Sequence, residues 1–239
     1  HGNISVVEAI TKSCNIFFYD VGRRLGIEKI NYYASLFGLG QSDTGLEIRN
    51  EPGQVASPEL AQQNGEVWYQ GNTWQAAIGQ SETKITPLQM AIQAMTIANK
   101  GTRYGAHIIK SVNSYDLSET IEETQVEILS DKMAGHDDVF DIVQAGMRGA
   151  ANSRATMVNI EGGVAIKTGT PQVTKTQTNS TVIGFYPALT TPEIAFAAVL
   201  ENGEYSADMM AQVINAYNEL KAQRSGTVSS SDSDSSEDE

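Results

Sequence analysis

The stretch GVAIKTGT, residues 163–170, changes abruptly from apolar to polar. Val164 to Ile166 is a short apolar run of the kind that starts a buried strand. Lys167 then presents a cation, and Thr168 and Thr170 present hydroxyls. Gly169 is expected to let a ligand backbone approach without a Cβ clash. An extended substrate can add alongside such an edge through main-chain hydrogen bonds. Its free carboxylate would meet the lysine and the hydroxyls, and the Thr170 N–H could face a tetrahedral oxyanion. A Lys-Thr edge also deters aggregation, so the tetrapeptide alone decides little.

Its surroundings decide more. STVIGFYP (180–187) and EIAFAAVLEN (193–202) are two further short strand-like runs, the first reached through the loop PQVTKTQTN. SADMMAQVINAYNELK then returns to helix, opened by Ser206. Upstream the pattern is helical. Ser5 and Glu8 form a capping box. A helix over Asn15–Leu25 stops at Gly26, and one over about Glu28–Phe37 stops at Gly38. Ser57-Pro58 opens another. TPLQMAIQAMTIANKG carries Thr86 as cap, Pro87 at N1, Gln89 closing the box and Gly101 as stop. Its apolar residues leave little polar face, so it is expected to be buried. VFDIVQAGMRG is read as a helix ending near Gly149. Helices, then antiparallel strands, then a closing helix predict an α+β domain, an antiparallel sheet packed with helices.

The 239 residues carry 40% hydrophobic and 19% charged side chains, and no apolar run is long enough to span a membrane. The net charge is −13; the tail from Ser225 holds five acids and no base, which leaves −8 on the rest. That balance argues against nucleic acid as a partner. The tail, 225–239, has no apolar residue beyond Val228 and is expected to be disordered. With no opening Met, basic n-region or apolar h-region, the chain reads as an internal fragment. Cys14 is the single cysteine, and His1, His107 and His136 show no metal-ligand spacing with it. No metal and no cofactor are expected. Trp68, Tyr69 and Trp74 fall in GEVWYQGNTW, read as an irregular loop whose rings pack it.

Two short motifs remain. Ser13-Cys14-Asn15 lies between two helices, where Ser and Asn can point into a cleft; alone it reads as a turn, with Asn15 as helix cap. Ser81-Glu82-Thr83-Lys84 has the S-x-x-K pattern of a nucleophile and its base. A working S-x-x-K needs both side chains on one helical turn. Thr86 precedes Pro87 and is pushed away from the α region, so Ser81 and Lys84 fall in the approach to the helix.

Taken together, S-C-N, the segment AAIGQSETKITPLQMA, AIKTGTPQ, VIGFYP and EIAFAAVLEN resemble the transpeptidase domain of class B penicillin-binding proteins, over His1 to about Lys221. The resemblance implies a β-lactamase/D,D-transpeptidase-like fold over 1–224, incomplete at the N-terminus. In that family S-x-x-K precedes S-x-N and K-T-G. Here SETK follows S-C-N, where the family has a Gly-Gln-Gly turn, so SETK is a coincidence and the nucleophile is expected upstream of His1. The resemblance further implies acyl-serine cross-linking of peptidoglycan stem peptides ending in D-Ala-D-Ala, inhibition by β-lactam antibiotics, and a place on the extracytoplasmic face of the bacterial membrane. Ser13, Asn15 and Lys167 would be catalytic and Thr168, Gly169 and Thr170 substrate-binding, completed by the upstream half of the domain. A serine β-lactamase, a β-lactam-sensing receptor domain and a catalytically inert fragment are the alternatives.

Overall fold

A computed structural model describes residues 1–174 and 176–226. Among them the order is α1 (Val6–Thr11), α2 (Asn15–Leu25), α3 (Ile27–Leu36), α4 (Pro58–Gln63), α5 (Gln70–Ala76), α6 (Pro87–Ala98), β1 (Arg103–Tyr104), β2 (Ser111–Asn113), β3 (Thr120–Glu123), β4 (Ile128–Ser130), α7 (Asp137–Asn152), β5 (Ala165–Gly169), β6 (Ser180–Tyr186), β7 (Ile194–Leu200) and α8 (Ser206–Arg224). None of these helices is long and apolar enough to cross a membrane.

Local chemistry places most helix starts where the sequence puts them. At α1, Ser5 Oγ accepts from Glu8 N at 3.2 Å while the Glu8 carboxylate accepts from Ser5 N at 2.8 Å. Thr86 and Gln89 repeat this box at α6, satisfying otherwise orphaned N–H groups.

Other expectations are corrected. GEVWYQGNTW is not wholly irregular: α5 forms within it, Asn72 Oδ1 accepting from Tyr69 N at 2.9 Å and the Trp68 indole donating to Thr73 Oγ1 at 3.3 Å. Gly71 in its first turn hid the helical signal. The helix read as ending near Gly149 continues to Asn152. α8 begins at Ser206, but that hydroxyl is engaged with Ser180 at 2.9 Å and does not cap it; Tyr205, at φ 69°, is the cap residue. Strands β1 to β4 were not foreseen. They are two to four residues long, too short for a periodicity to register. Of the acidic tail, Ser225 and Gly226 finish the last turn of α8, and 227–239 lie outside the described residues.

The three C-terminal strands form an antiparallel sheet in the order β5-β6-β7, with Ala165 opposite Phe185, Ile166 opposite Gly184 and Lys167 opposite Ile183. Side chains alternate between its faces. Ile166, Val182 and Phe196 pack with Ala207, Met210 and Ile214 of α8. Ala165 and Phe185 pack on the other face with Ile10 of α1, Ile97 of α6 and Phe140 and Met147 of α7. Each fully buried large apolar side chain contributes about 1.5–3 kcal/mol. Lys167 is two residues beyond Ala165, so the pleat aims it at the face that carries α1.

Candidate active site

α1 delivers Ser13. The helix ends at Thr11, Lys12 closes it, and Ser13 takes a left-handed backbone with φ 49°. A non-glycine residue rarely adopts that conformation, and it turns the chain sharply. Cys14 behind it is buried, and its N–H donates to Ala9 O at 2.9 Å. Ser13 and Asn15, on either side of this anchor, are exposed. Cys14 is the cap residue of α2 and Asn15 its first residue, so Asn15 is not the helix cap that its type suggested.

α1 is itself held by α7. Thr11 Oγ1 donates to Gly146 O at 3.1 Å, and a Cβ on Gly146 would lie 2.6 Å from Ile10 Cβ. Gly149 similarly faces Thr11. These interior glycines permit close helix crossing, which is why Gly149 does not stop α7. In an exposed helix Gly→Ala gains about 0.5–1 kcal/mol. At Gly146 the sign reverses: Gly146→Ala is expected to cost about 1–3 kcal/mol through overpacking and to shift Ser13. Thermal unfolding measures the first effect, and acylation by a labelled penicillin measures the second.

β5 delivers Lys167. Its Nζ donates to Ser13 Oγ at 2.6 Å and to the Thr168 carbonyl at 2.6 Å. Burial, and then the charge of Arg154, hold this ammonium below the ordinary lysine value of 10.5. Among the described residues β5 pairs with β6 on one side and with no strand on the other. Its outer edge is therefore open beside the Lys167–Ser13 pair. Thr168 is half-buried and Thr170, just past the strand, is exposed. The hydroxyls of Thr168 and Thr170 and the amide of Asn15 make no hydrogen bond among the described residues. Gly169 has a nearer reason to be glycine than ligand approach: a Cβ there would stand 2.6 Å from Thr181 Oγ1 on β6.

The structure thus brings Ser13 and Lys167, 154 residues apart, into contact. It holds Asn15, Thr168 and Thr170 near them along the chain; of these only the Thr168 carbonyl is bonded to the pair, through Lys167. Arg154 escaped sequence reasoning altogether, because nothing in NSRAT signals its proximity to Lys167. The SETK segment is not helical. Ser81 has φ 65°, and Lys84 exchanges backbone hydrogen bonds with Gln54 at 2.9 and 2.7 Å. Ser81 and Lys84 therefore do not share a helical turn.

Comparison with known proteins agrees with this architecture. Peptidoglycan D,D-transpeptidase MrdA of Salmonella typhimurium is 30% identical over 227 residues, covering 85% of this chain and 36% of that protein. Penicillin-binding protein A of M. tuberculosis, solved as an imipenem acyl-enzyme complex, superposes with a TM-score of 0.78 at 27% identity, over 90% of this chain and 47% of the other. Pseudomonas aeruginosa PBP2, solved in complex with WCK 5153, gives 0.75 at 29% identity, over 90% of this chain and 49% of the other. The chain thus spans about a third of the length of the curated relatives it matches. The family model of the penicillin binding protein transpeptidase domain matches residues 1–219, and the chain belongs to that family.

Proposed function

We propose that this chain forms the S-x-N and K-T-G walls of a serine D,D-transpeptidase site that cross-links peptidoglycan stem peptides and is acylated by β-lactams. The observation that carries this is the 2.6 Å hydrogen bond from Lys167 to Ser13, beside the open edge of β5. The left-handed backbone at Ser81 supports a nucleophile on a segment N-terminal to His1 rather than within SETK.

The nucleophilic serine attacks the carbonyl of the penultimate D-alanine, and its proton passes to a lysine on the same helix. The proton then moves through Ser13 to the departing D-alanine amine, leaving an acyl-enzyme that the amine of a second stem peptide resolves. Lys167 polarises the Ser13 hydroxyl and attracts the terminal carboxylate, which Thr168 and Thr170 also bind. Asn15 orients the substrate amide or the upstream lysine. The Thr170 N–H is the second oxyanion donor; one such donor is worth about 10²–10³ in rate. The reaction takes place on the extracytoplasmic face of the bacterial membrane, with the anchor outside the described residues.

The test is labelled penicillin on the complete natural protein, with the adduct located by peptide mapping. Label on an upstream serine is the expected result, and label on Ser81 overturns it. Ser81→Gly should retain full acylation. It should also raise stability by up to about 1 kcal/mol, since glycine adopts the left-handed conformation without the Cβ penalty.

A further inference from the structure

A cavity of about 370 Å³ opens between the end of α7 and the turn that leads into β5. Small-molecule sites span roughly 300 to 1,000 Å³. Its polar lining is Arg148 and Asn152 from α7 with Asn159 and Glu161 from the turn, and Val158 and Leu189 add exposed apolar surface. Among the described residues none of these four polar side chains makes a hydrogen bond or an ion pair. Other surface cations of this chain are neutralised directly: Arg23 and Arg24 meet Asp20 at 2.7 Å, Lys100 meets Asp141 at 2.9 Å and Lys221 meets Glu193 at 2.6 Å. Arg148, half-buried, and Glu161 share one hollow, carry opposite charges and do not meet.

The walls are set by backbone bonds. Ile160 N–H donates to Met157 O at 3.1 Å and Gly163 N–H to Ile160 O at 3.0 Å. Leu189 N–H donates to Gly162 O at 3.0 Å, and Ala188 N–H reaches Gly162 O at 3.0 Å and Gly163 O at 2.9 Å. Gly162 and Gly163 have φ 80° and 66°, and a Cβ on Gly163 would stand 2.8 Å from Leu189 Cγ. Only glycine lets the turn pass Leu189 this closely. A site whose backbone is fixed beforehand loses less freedom on binding. The hollow is also separate from the candidate active site. Ile160 and Val164, which line it, belong with Ile166 to the buried cluster shared with α8, whereas the pleat points Lys167 to the opposite face.

We propose that this cavity binds the zwitterion of an aliphatic amino acid or dipeptide, with Arg148 taking the carboxylate and Glu161 the ammonium. A lone anion would suit Arg148 and be repelled by Glu161, and a lone cation the reverse; a ligand carrying both charges suits both. The amides of Asn152 and Asn159 supply donors and acceptors for a main-chain amide or for the charged ends. Val158 and Leu189 offer apolar surface to an alkyl side chain. The proposal does not rest on the transpeptidase reading.

The experiment is isothermal titration calorimetry on the complete natural protein, before and after treatment with benzylpenicillin. The probes are leucine, alanyl-leucine, N-acetyl-alanyl-leucine and alanyl-leucinamide. Leucine, alanyl-leucine or both are expected to bind, whether or not benzylpenicillin has been added, and blocking either end of the dipeptide should weaken binding about 10- to 100-fold. Arg148→Met should weaken the zwitterion by a similar factor and erase its advantage over the amide. Glu161→Gln should erase its advantage over the N-acetyl peptide. Neither side chain is bonded to another residue, so both variants should melt with the parent. No binding of leucine or alanyl-leucine at millimolar concentration, blocked peptides that bind as well as free ones, or variants that bind like the parent overturn the inference. Binding lost on acylation places the peptide at the candidate active site and overturns it too. If benzylpenicillin leaves no adduct, the transpeptidase reading fails, and the two variants still decide the role of the cavity.

Discussion

Lys167→Met in the complete natural protein lowers the second-order rate of penicillin acylation about 10²- to 10⁴-fold, the range set by general acid–base groups. Methionine keeps the length of the stem and removes the ammonium, so the 2.6 Å contact to Ser13 is lost while β5 stays paired with β6. The pH dependence provides a second readout. Burial and Arg154 both disfavour the charged form of Lys167, so its proton leaves at a lower pH than that of a solvent lysine. If the ammonium is the active form, acylation falls on an alkaline limb centred below 10.5. Arg154→Gln removes one of the two causes and moves that limb upward. A rate for Lys167→Met within a few-fold of the parent would end the role given to this lysine.

Gln89→Leu is expected to destabilise the fold by about 2–5 kcal/mol, since each buried polar group left unsatisfied costs about 1–3 kcal/mol. The side chain is only 1% exposed. Its Nε2 lies 2.7 Å from Gln41 O, 2.8 Å from Pro52 O and 3.2 Å from Gly38 O, while its Oε1 accepts from Thr86 N at 3.2 Å. Two N–H groups serve three carbonyls, so one of these contacts is shared. The amide thus ties the irregular segment between α3 and α4 to the first turn of α6. Leucine fills a similar volume but silences all four partners. Gln89→Glu should be at least as damaging, because it sets a carboxylate against three carbonyl oxygens. Urea unfolding followed by circular dichroism measures both. A Gln89→Leu variant within 0.5 kcal/mol of the parent, the ordinary range for an inconsequential substitution, would show that the segment holds without it.

Gln89 also illustrates how far the sequence reaches. As the N3 member of a capping box with Thr86 it was legible, because that interaction spans three residues. Its contacts to residues 37 to 51 positions away were not. The same division runs through the site. The K-T-G strand, the two strands that follow it in the sheet and the helix starts follow from patterns within single segments, which short-range sterics and capping enforce. The left-handed turn at Ser13, the glycine crossing of α1 on α7 and the influence of Arg154 on Lys167 depend on which segments meet.

By itself, then, the sequence determined the α+β class, the strand that carries Lys167 and the family resemblance, since each is written in residues close together in the chain. Only the tertiary structure decided that Lys167 reaches Ser13, that SETK makes a left-handed turn at Ser81 instead of a helix and that the charge of Arg154 acts on Lys167. Those outcomes depend on the pleat of β5 and the docking of α1 and α7 on one buried face, and packing between distant segments leaves no local trace in the residues it joins.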